Sequence, residues 1–235
     1  EISACLVGSE MCIRDSYTTS NHGPYKMPLH DLGFDGDKIM KVGQDVLDEK
    51  IIPKVLGTFW YSDRAINQFI QEMKKAYSDS LFIVTGDHGF QCSELQHTSF
   101  MKREYTFREL HSPVLMFHHP ELDKASLAGN IIGGHMNILP TLFELIAPAG
   151  FTYYSLFHSL TEPISQCVTP YHWANLQAIG ACHEAYYQPL TAQSGADVLQ
   201  GAAPYDDICD AEKSLTAYLL QHPELLQPVD ALLRR

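Results

Sequence analysis

Apolar residues recur with the spacing of amphipathic helices in three parts of the chain. The clearest is Tyr61–Tyr77, where apolar side chains return every three or four positions and Asp, Gln and Lys residues lie opposite. Ser62 is a candidate N-cap near its start. A second helix is predicted over Asn137–Ala147, with Pro140 in its first turn, and a third near Ala211–Gln221. The face predicted to be buried in the first helix consists of Tyr61, Ala65, Ile66, Phe69, Ile70, Met73 and Tyr77.

Two short apolar runs lie between the first two predicted helices. Leu81–Thr85 is typical of a strand that is buried on both faces of a parallel sheet. Val114–Phe117 is the second run, with Pro113 at its edge. Helix, strand, strand and helix in this order predict an α/β domain in which a sheet is flanked by helices. From about Gly150 the chain is rich in aromatic residues, prolines and turns, and the third helix is the only element predicted there.

The composition is that of a folded domain. The chain has 235 residues, 45% of them hydrophobic and 19% charged, so it can bury a sizeable core. Its formal net charge of −12 opposes nucleic-acid binding, which needs a basic surface. No apolar run approaches the ~20 residues of a membrane span, and no signal-peptide pattern marks the start. We therefore expect the chain as it stands to be soluble.

An Asp-His pair follows the first predicted strand. In open α/β sheets, ligands bind at the carboxyl ends of strands, and Asp87 and His88 occupy that position. An adjacent carboxylate and imidazole can both turn toward one divalent cation. Gly86 and Gly89 flank the pair and let the backbone bend sharply and approach other groups closely. The residues alone leave both a salt-bridged loop and a metal site open.

Residues 83–89, Ile-Val-Thr-Gly-Asp-His-Gly, resemble the metal-binding signature of the alkaline phosphatase/sulfatase superfamily. Other segments resemble, in the right order, parts of its lipoteichoic acid synthase and phosphoglycerol transferase branch. These are a substrate-side histidine loop, the helix before the metal strand, the strand after it and a Pro-Thr helix, at residues 18–25, 61–70, 111–115 and 138–142. The resemblance covers about Tyr17 to Leu160. It implies a sulfatase-like and alkaline-phosphatase-like sheet flanked by helices, of which the N-terminal half is missing.

The resemblance also implies a mechanism. Asp87 and His88 would hold a divalent metal ion, with manganese expected and zinc, magnesium or calcium as alternatives. A threonine or serine held on the metal would attack the phosphorus or sulfur of an ester, and an alcohol or water would resolve the covalent intermediate. His22 would lie against the substrate's anionic group as a donor or leaving-group acid. The family's nucleophile lies upstream of the histidine loop, so we expect it to be absent from this chain and the chain alone to be inactive.

Several polar residues near these motifs could belong either to the site or to a surface loop. His97, in a polar loop after the metal pair, is either a further ligand or hydrogen-bond donor, or an exposed loop residue. His135 either faces the site from before the Pro-Thr helix or has no part in it. Thr18, Thr19 and Ser20 adjoin His22, and we interpret them as loop residues rather than as substitutes for the nucleophile.

The function implied by the resemblance is transfer or hydrolysis of phosphate or sulfate esters, in particular phosphoglycerol-type transfer at the bacterial envelope. The substrate would be an anionic lipid headgroup or a glycan ester, and no nucleic acid is expected. The parent protein would be membrane-anchored, with this domain at the extracytoplasmic face of the bacterial inner membrane. Two alternatives stay open: a soluble sulfatase or phosphodiesterase, and a non-catalytic module that binds anionic glycans or lipids.

The chain divides into three predicted segments. Residues 5–16 resemble the translation of a transposase sequencing adapter and show no periodicity, so we expect 1–16 to be a non-native segment that pairs poorly with the sheet. Residues 17–160 are the C-terminal part of a sulfatase-like catalytic domain, and 161–235 are an extension that packs on it. The cysteines beyond the first segment lack the paired spacing of a zinc site, and disulfides and free thiols both stay open for Cys92, Cys167, Cys182 and Cys209.

Overall fold

The computed structural model describes residues 2–8, 11–16, 18, 20–21, 25–43, 52–89, 104–127, 129 and 132–226, which group into two compact units. The first unit contains strands β1 (Ile2–Gly8), β2 (Met11–Ser16), β3 (Phe82–Thr85) and β4 (Leu115–His118), and helices α1 (Gly36–Gly43) and α2 (Ile52–Ala76). The second contains residues 86–89, helices α3 (Phe107–His111), α4 (Ile138–Ile146) and α5 (Asp206–Gln221), and strands β5 (Gln166–Val168), β6 (His172–Asn175), β7 (Ala178–Ala181), β8 (Tyr186–Pro189) and β9 (Leu199–Gln200). This mixture of helices and sheets confirms the predicted α/β class.

Helix α2 is longer than predicted and buries a different face. It begins at Ile52 rather than Tyr61, so Ser62 lies inside the helix instead of capping it. The Ser62 hydroxyl is buried and donates to Asn21 Oδ1 at 2.8 Å, which satisfies it away from water. Phe69, predicted to be buried, is 50% exposed. The residues of α2 that the structure does bury are Val55, Thr58, Ser62 and Ile70, together with Gly57.

Strand β3 pairs with β4 in the antiparallel direction, which corrects the predicted parallel sheet. Phe82 lies opposite His118 and Thr85 lies opposite Leu115. The side chains of β3 from Phe82 to Val84 are partly buried rather than fully buried on both faces. An apolar run indicates a strand but not the direction of its partner, because parallel and antiparallel ladders use the same backbone groups.

Strands β1 and β2 form an antiparallel hairpin in the segment for which no regular structure was predicted. Ile2 lies opposite Ser16 and Gly8 opposite Met11. Backbone hydrogen bonds can form such a ladder without an alternating side-chain pattern. Among the described strands, β1 and β2 pair with each other and not with β3 or β4. The non-native origin of this segment stays a prediction, as does the division of the chain at residues 16 and 160.

The region after Gly150 contains a five-stranded antiparallel sheet that the sequence pattern did not reveal. Strands β5 to β9 follow one another in spatial order, as in a meander. Each strand has only two to four residues, too few for an alternating pattern to stand out. Trp173 is 2% exposed at the centre of this region, with the rings of Tyr187 and Tyr205 at 5.5 and 5.3 Å from its own. The predicted third helix is confirmed as α5, which begins earlier, at Asp206.

A disulfide between Cys182 and Cys209 joins the end of β7 to the first turns of α5. Cys209 is fully buried, and Cys167 is a buried free thiol. His183 reinforces the same junction, since its amide donates to Asp206 Oδ1 at 2.8 Å and its Nε2 lies 2.9 Å from Asp210 Oδ1. The question left open for these cysteines is thereby answered for three of them, while Cys92 lies outside the described residues.

Replacing both bridged cysteines, in the variant Cys182→Ser/Cys209→Ser, should lower the free energy of unfolding by about 3.5 kcal/mol. The bridge spans 27 residues, and a cross-link of that length removes chain entropy of this size from the unfolded state. Urea unfolding of both proteins, with and without dithiothreitol, measures the effect. Reductant should not change the double variant, and an unchanged midpoint in that variant relative to the wild type would contradict the prediction.

Candidate functional site

Asp87 and His88 lie in the loop of residues 86–89, directly after β3, and their side chains are 59% and 60% exposed. The His88 amide donates to Asp87 Oδ1 at 3.0 Å, which turns the carboxylate back over the loop. His88 Nδ1 lies 2.7 Å from the Gly89 carbonyl oxygen. Because a carbonyl can only accept, Nδ1 carries a proton, and in the neutral ring the lone pair is therefore on Nε2.

The spacing of the two donor atoms fits a shared cation. His88 Nε2 and Asp87 Oδ2 are 3.6 Å apart. Two ligand atoms at ~2.1 Å from a tetrahedral ion are separated by about 3.4 Å. A histidine that ligates a metal through one nitrogen commonly donates its other N–H to a carbonyl, as His88 does to Gly89. The donor chemistry, the tautomer and the spacing therefore all suit a divalent metal ion.

The backbone of this loop is held at three points. The Gly86 amide donates to the Val114 carbonyl at 3.2 Å, and the Gly86 carbonyl oxygen lies 2.6 Å from His135 Nε2. Gly89 approaches the backbone of Leu110 so closely that a Cβ would overlap its carbonyl group. The expectation that glycine permits a close backbone approach is borne out at Gly89.

Helix α3, which carries Leu110, is fixed by its cap and by the C-terminal sheet. Thr106 and Glu109 form a reciprocal capping box at its start, a Thr-x-x-Glu signal that the sequence reading missed. The Phe107 amide donates to Gln188 Oε1 at 2.5 Å. The His111 ring stacks on Phe107 at 4.2 Å and lies 4.6 Å from the ring of His172. The sheet thus supports the helix against which Gly89 rests.

Two of the five predicted site residues are brought together, and a third lies beside them. Asp87 and His88 face each other, and His135 contacts the backbone at Gly86. His22 and His97 lie outside the described residues. No group of three or more His, Cys, Asp or Glu side chains in the described ranges is arranged to hold a metal ion. The described part of the site therefore contains two of the predicted ligands, Asp87 and His88.

Comparison with known proteins gives one family. The family model described as Sulfatase matches residues 17–147, more than half of the chain, and this span contains Asp87, His88 and His135. No curated protein and no solved structure matches the chain at a significant level. None of the helices in the described ranges is long and apolar enough to cross a membrane.

Gly89→Ala should disturb the loop, because the new methyl group would overlap the Leu110 carbonyl. We expect a loss of about 1–3 kcal/mol in the free energy of unfolding, as for other overpacked sites. Gly201→Ala is the matched control, since its Cβ would only reach ordinary contact with Tyr187 at 3.4 Å. Thermal and urea unfolding of the two variants measure the difference, and equal stabilities would argue against the close approach.

Acidification should loosen α3 from the sheet. Burial lowers the pKa of His111, the neighbouring His172 lowers it further, and burial likewise lowers the pKa of His172. Stability from these neutral imidazoles is complete above the unfolded-state value of about 6.5 and is lost as the pH falls through the folded-state values. His111→Phe keeps a ring against Phe107 and should flatten the fall in melting temperature between pH 7 and 5. His158→Ala, at an exposed histidine, should leave the profile unchanged; a wild-type profile in His111→Phe would contradict the assignment.

Proposed function

The chain belongs to the sulfatase family, and from this premise we propose that it holds the metal of an enzyme that transfers phosphoglycerol, or a similar anionic headgroup, at a bacterial envelope. At the level of the family, the activity is transfer or hydrolysis of phosphate or sulfate esters. The finer assignment rests on the resemblance of its histidine loop, metal strand and Pro-Thr helix to the phosphoglycerol transferase branch.

The observation that carries the proposal is the pairing of Asp87 with His88. Their ligand atoms lie 3.6 Å apart on a loop that is tied down at three points, and the Gly89 carbonyl holds His88 in the tautomer that leaves Nε2 able to coordinate. A salt-bridged surface loop with a doubly protonated His88 would make the same two contacts, and the resemblance of residues 83–89 to the family's metal-binding signature favours the metal site over it. A metal site uses both the spacing of the two ligand atoms and the hydrogen bond from His88 Nδ1 to a carbonyl.

In this proposal each residue has a distinct part. Asp87 supplies negative charge and His88 a neutral nitrogen, a donor pair accepted by manganese and zinc. When bound, the ion would supply electrostatic stabilisation to oxygens that gain charge during transfer. His22 would bind the anionic group of the substrate, and His97 remains a candidate for a further ligand. The substrate would be an anionic lipid headgroup or glycan ester.

The disulfide supports a location outside the cytoplasm. Cys182 and Cys209 are bridged in the second unit, and disulfides persist mainly in oxidising compartments such as the bacterial periplasm or the cell exterior. An enzyme that modifies envelope lipids or glycans would work in that compartment. A membrane anchor in the parent protein is part of the proposal.

Manganese binding tests the site directly. Calorimetric titration of the chain should show weak binding, because two protein ligands are fewer than the three of a usual catalytic zinc site. Asp87→Ala and His88→Ala should each abolish it. Binding should also weaken as the solution is acidified, since protons compete with the metal ion for its ligands. Tight binding that survives Asp87→Ala would mean that the metal lies elsewhere.

The substrate class is tested by adding ligands to the manganese-loaded chain. Glycerol phosphate should bind in a metal-dependent manner and more tightly than inorganic sulfate, if the transferred group is phosphoglycerol. The reverse order would favour the alternative of a soluble sulfatase. Binding of anionic glycans that is unchanged by Asp87→Ala and by metal removal would favour a non-catalytic binding module.

A further inference from the structure

His135 makes a direct hydrogen bond to the backbone that precedes the proposed metal ligands. Its Nε2 lies 2.6 Å from the carbonyl oxygen of Gly86, which is 49 residues away in sequence. Since the carbonyl only accepts, His135 must donate through Nε2. The Gly86 carbonyl and the Asp87 amide nitrogen belong to one planar peptide group, so this contact restrains the orientation of the Asp87 backbone.

The segment that presents His135 is itself firmly held. His135 begins a 3-10 turn, His135–Asn137, and Asn137 in that turn is 3% exposed. Asn137 Oδ1 accepts from the Gly134 amide at 2.8 Å, and its Nδ2 donates to the His158 carbonyl at 2.8 Å. An ionised carboxylate could not do both, because it has no proton to donate. The side chain at residue 137 thus ties the backbone just before His135 to the segment at His158.

A buried threonine completes this support. The Thr141 hydroxyl donates to the Asn137 carbonyl at 2.6 Å and accepts from the Leu160 amide at 2.8 Å. Thr141 is fully buried in the first turn of α4, where a satisfied hydrogen-bond network is rigid because breaking it leaves polar groups unpaired. The position of the His135 imidazole is therefore set by a network inside the second unit.

We propose that His135 is a positioning residue, which fixes the Gly86–Asp87 peptide and thereby the direction of the Asp87 carboxylate and the His88 ring. It acts through the Gly86 carbonyl and does not coordinate the ion. The Gly86 amide donates to the Val114 carbonyl, so both backbone polar groups of Gly86 are hydrogen-bonded. The inference rests on the proposed function of Asp87 and His88.

The test compares His135→Phe, which has no donor, with His135→Gln, whose amide reaches about as far as Nε2 and can donate. His222→Ala removes a partly exposed imidazole of the same unit, outside the network that holds His135, and is the matched control. Manganese affinity should fall about tenfold or more in His135→Phe, as when a group that orients a ligand is lost. His135→Gln should recover most of it, and His222→Ala should bind like the wild type. The melting temperatures of all three should stay close to that of the wild type.

A second readout needs no metal. Nitrogen-15 NMR of the histidine side chains reports the tautomer of His88, which should be protonated on Nδ1 in the wild type and in His135→Gln. In His135→Phe the loop should lose its fixed geometry, and the His88 signals should average between the two tautomers. This measurement addresses positioning even if the chain binds no manganese, and so separates failure of the inference from failure of the proposed function.

Two results would overturn the positioning role. One is a His135→Phe variant with wild-type manganese affinity and a wild-type His88 tautomer. The other is loss of binding in both His135 variants while the His88 tautomer stays intact, which would make His135 a ligand instead. If Asp87→Ala leaves manganese binding unchanged, the proposed function fails, and the NMR comparison alone decides whether His135 orders the loop.

Discussion

The candidate site depends on how little freedom the backbone has between Gly86 and Gly89. Gly89 lies against the Leu110 carbonyl with no space for a methyl group, and both polar groups of Gly86 are engaged. Asp87 and His88 are exposed, so side-chain packing contributes little to their orientation. Restraint of the backbone replaces it, which explains how a surface loop can present two donor atoms at a spacing that suits one ion.

This restraint extends into the C-terminal sheet. Leu110 belongs to α3, and α3 is held by the contact of Phe107 with Gln188 and by the stacking of His111 near His172. Strands β6 and β8 therefore have a part in supporting the loop although they contribute no candidate ligand. The disulfide closes the same sheet onto α5. Loss of the sheet would remove these contacts of α3.

Two histidines of the second unit donate to carbonyl groups of the same loop. His88 donates through Nδ1 to Gly89, and His135 donates through Nε2 to Gly86. In the first case the hydrogen bond selects which nitrogen keeps a lone pair, and in the second it orients a peptide group. The same residue type thus has two different parts in the proposed site, and the sequence spacing alone does not distinguish them.

Local signals in the sequence determined the α/β class, the existence of the helices at Tyr61–Tyr77 and Asn137–Ala147, and the placement of Asp87 and His88 after a strand. These features can be recognised in the sequence because periodicity and short motifs depend on neighbours along the chain. Only the tertiary structure decided the direction of β3 against β4, the meander of β5 to β9 and the pairing of Cys182 with Cys209. The meander joins neighbouring strands, but strands of two to four residues carry too little pattern to be recognised in the sequence. The pairing of β3 with β4 and the disulfide depend on contacts between residues far apart in the chain. The contact of His135 with Gly86 is of the same kind, since a hydrogen bond across 49 residues exists only once both segments are folded.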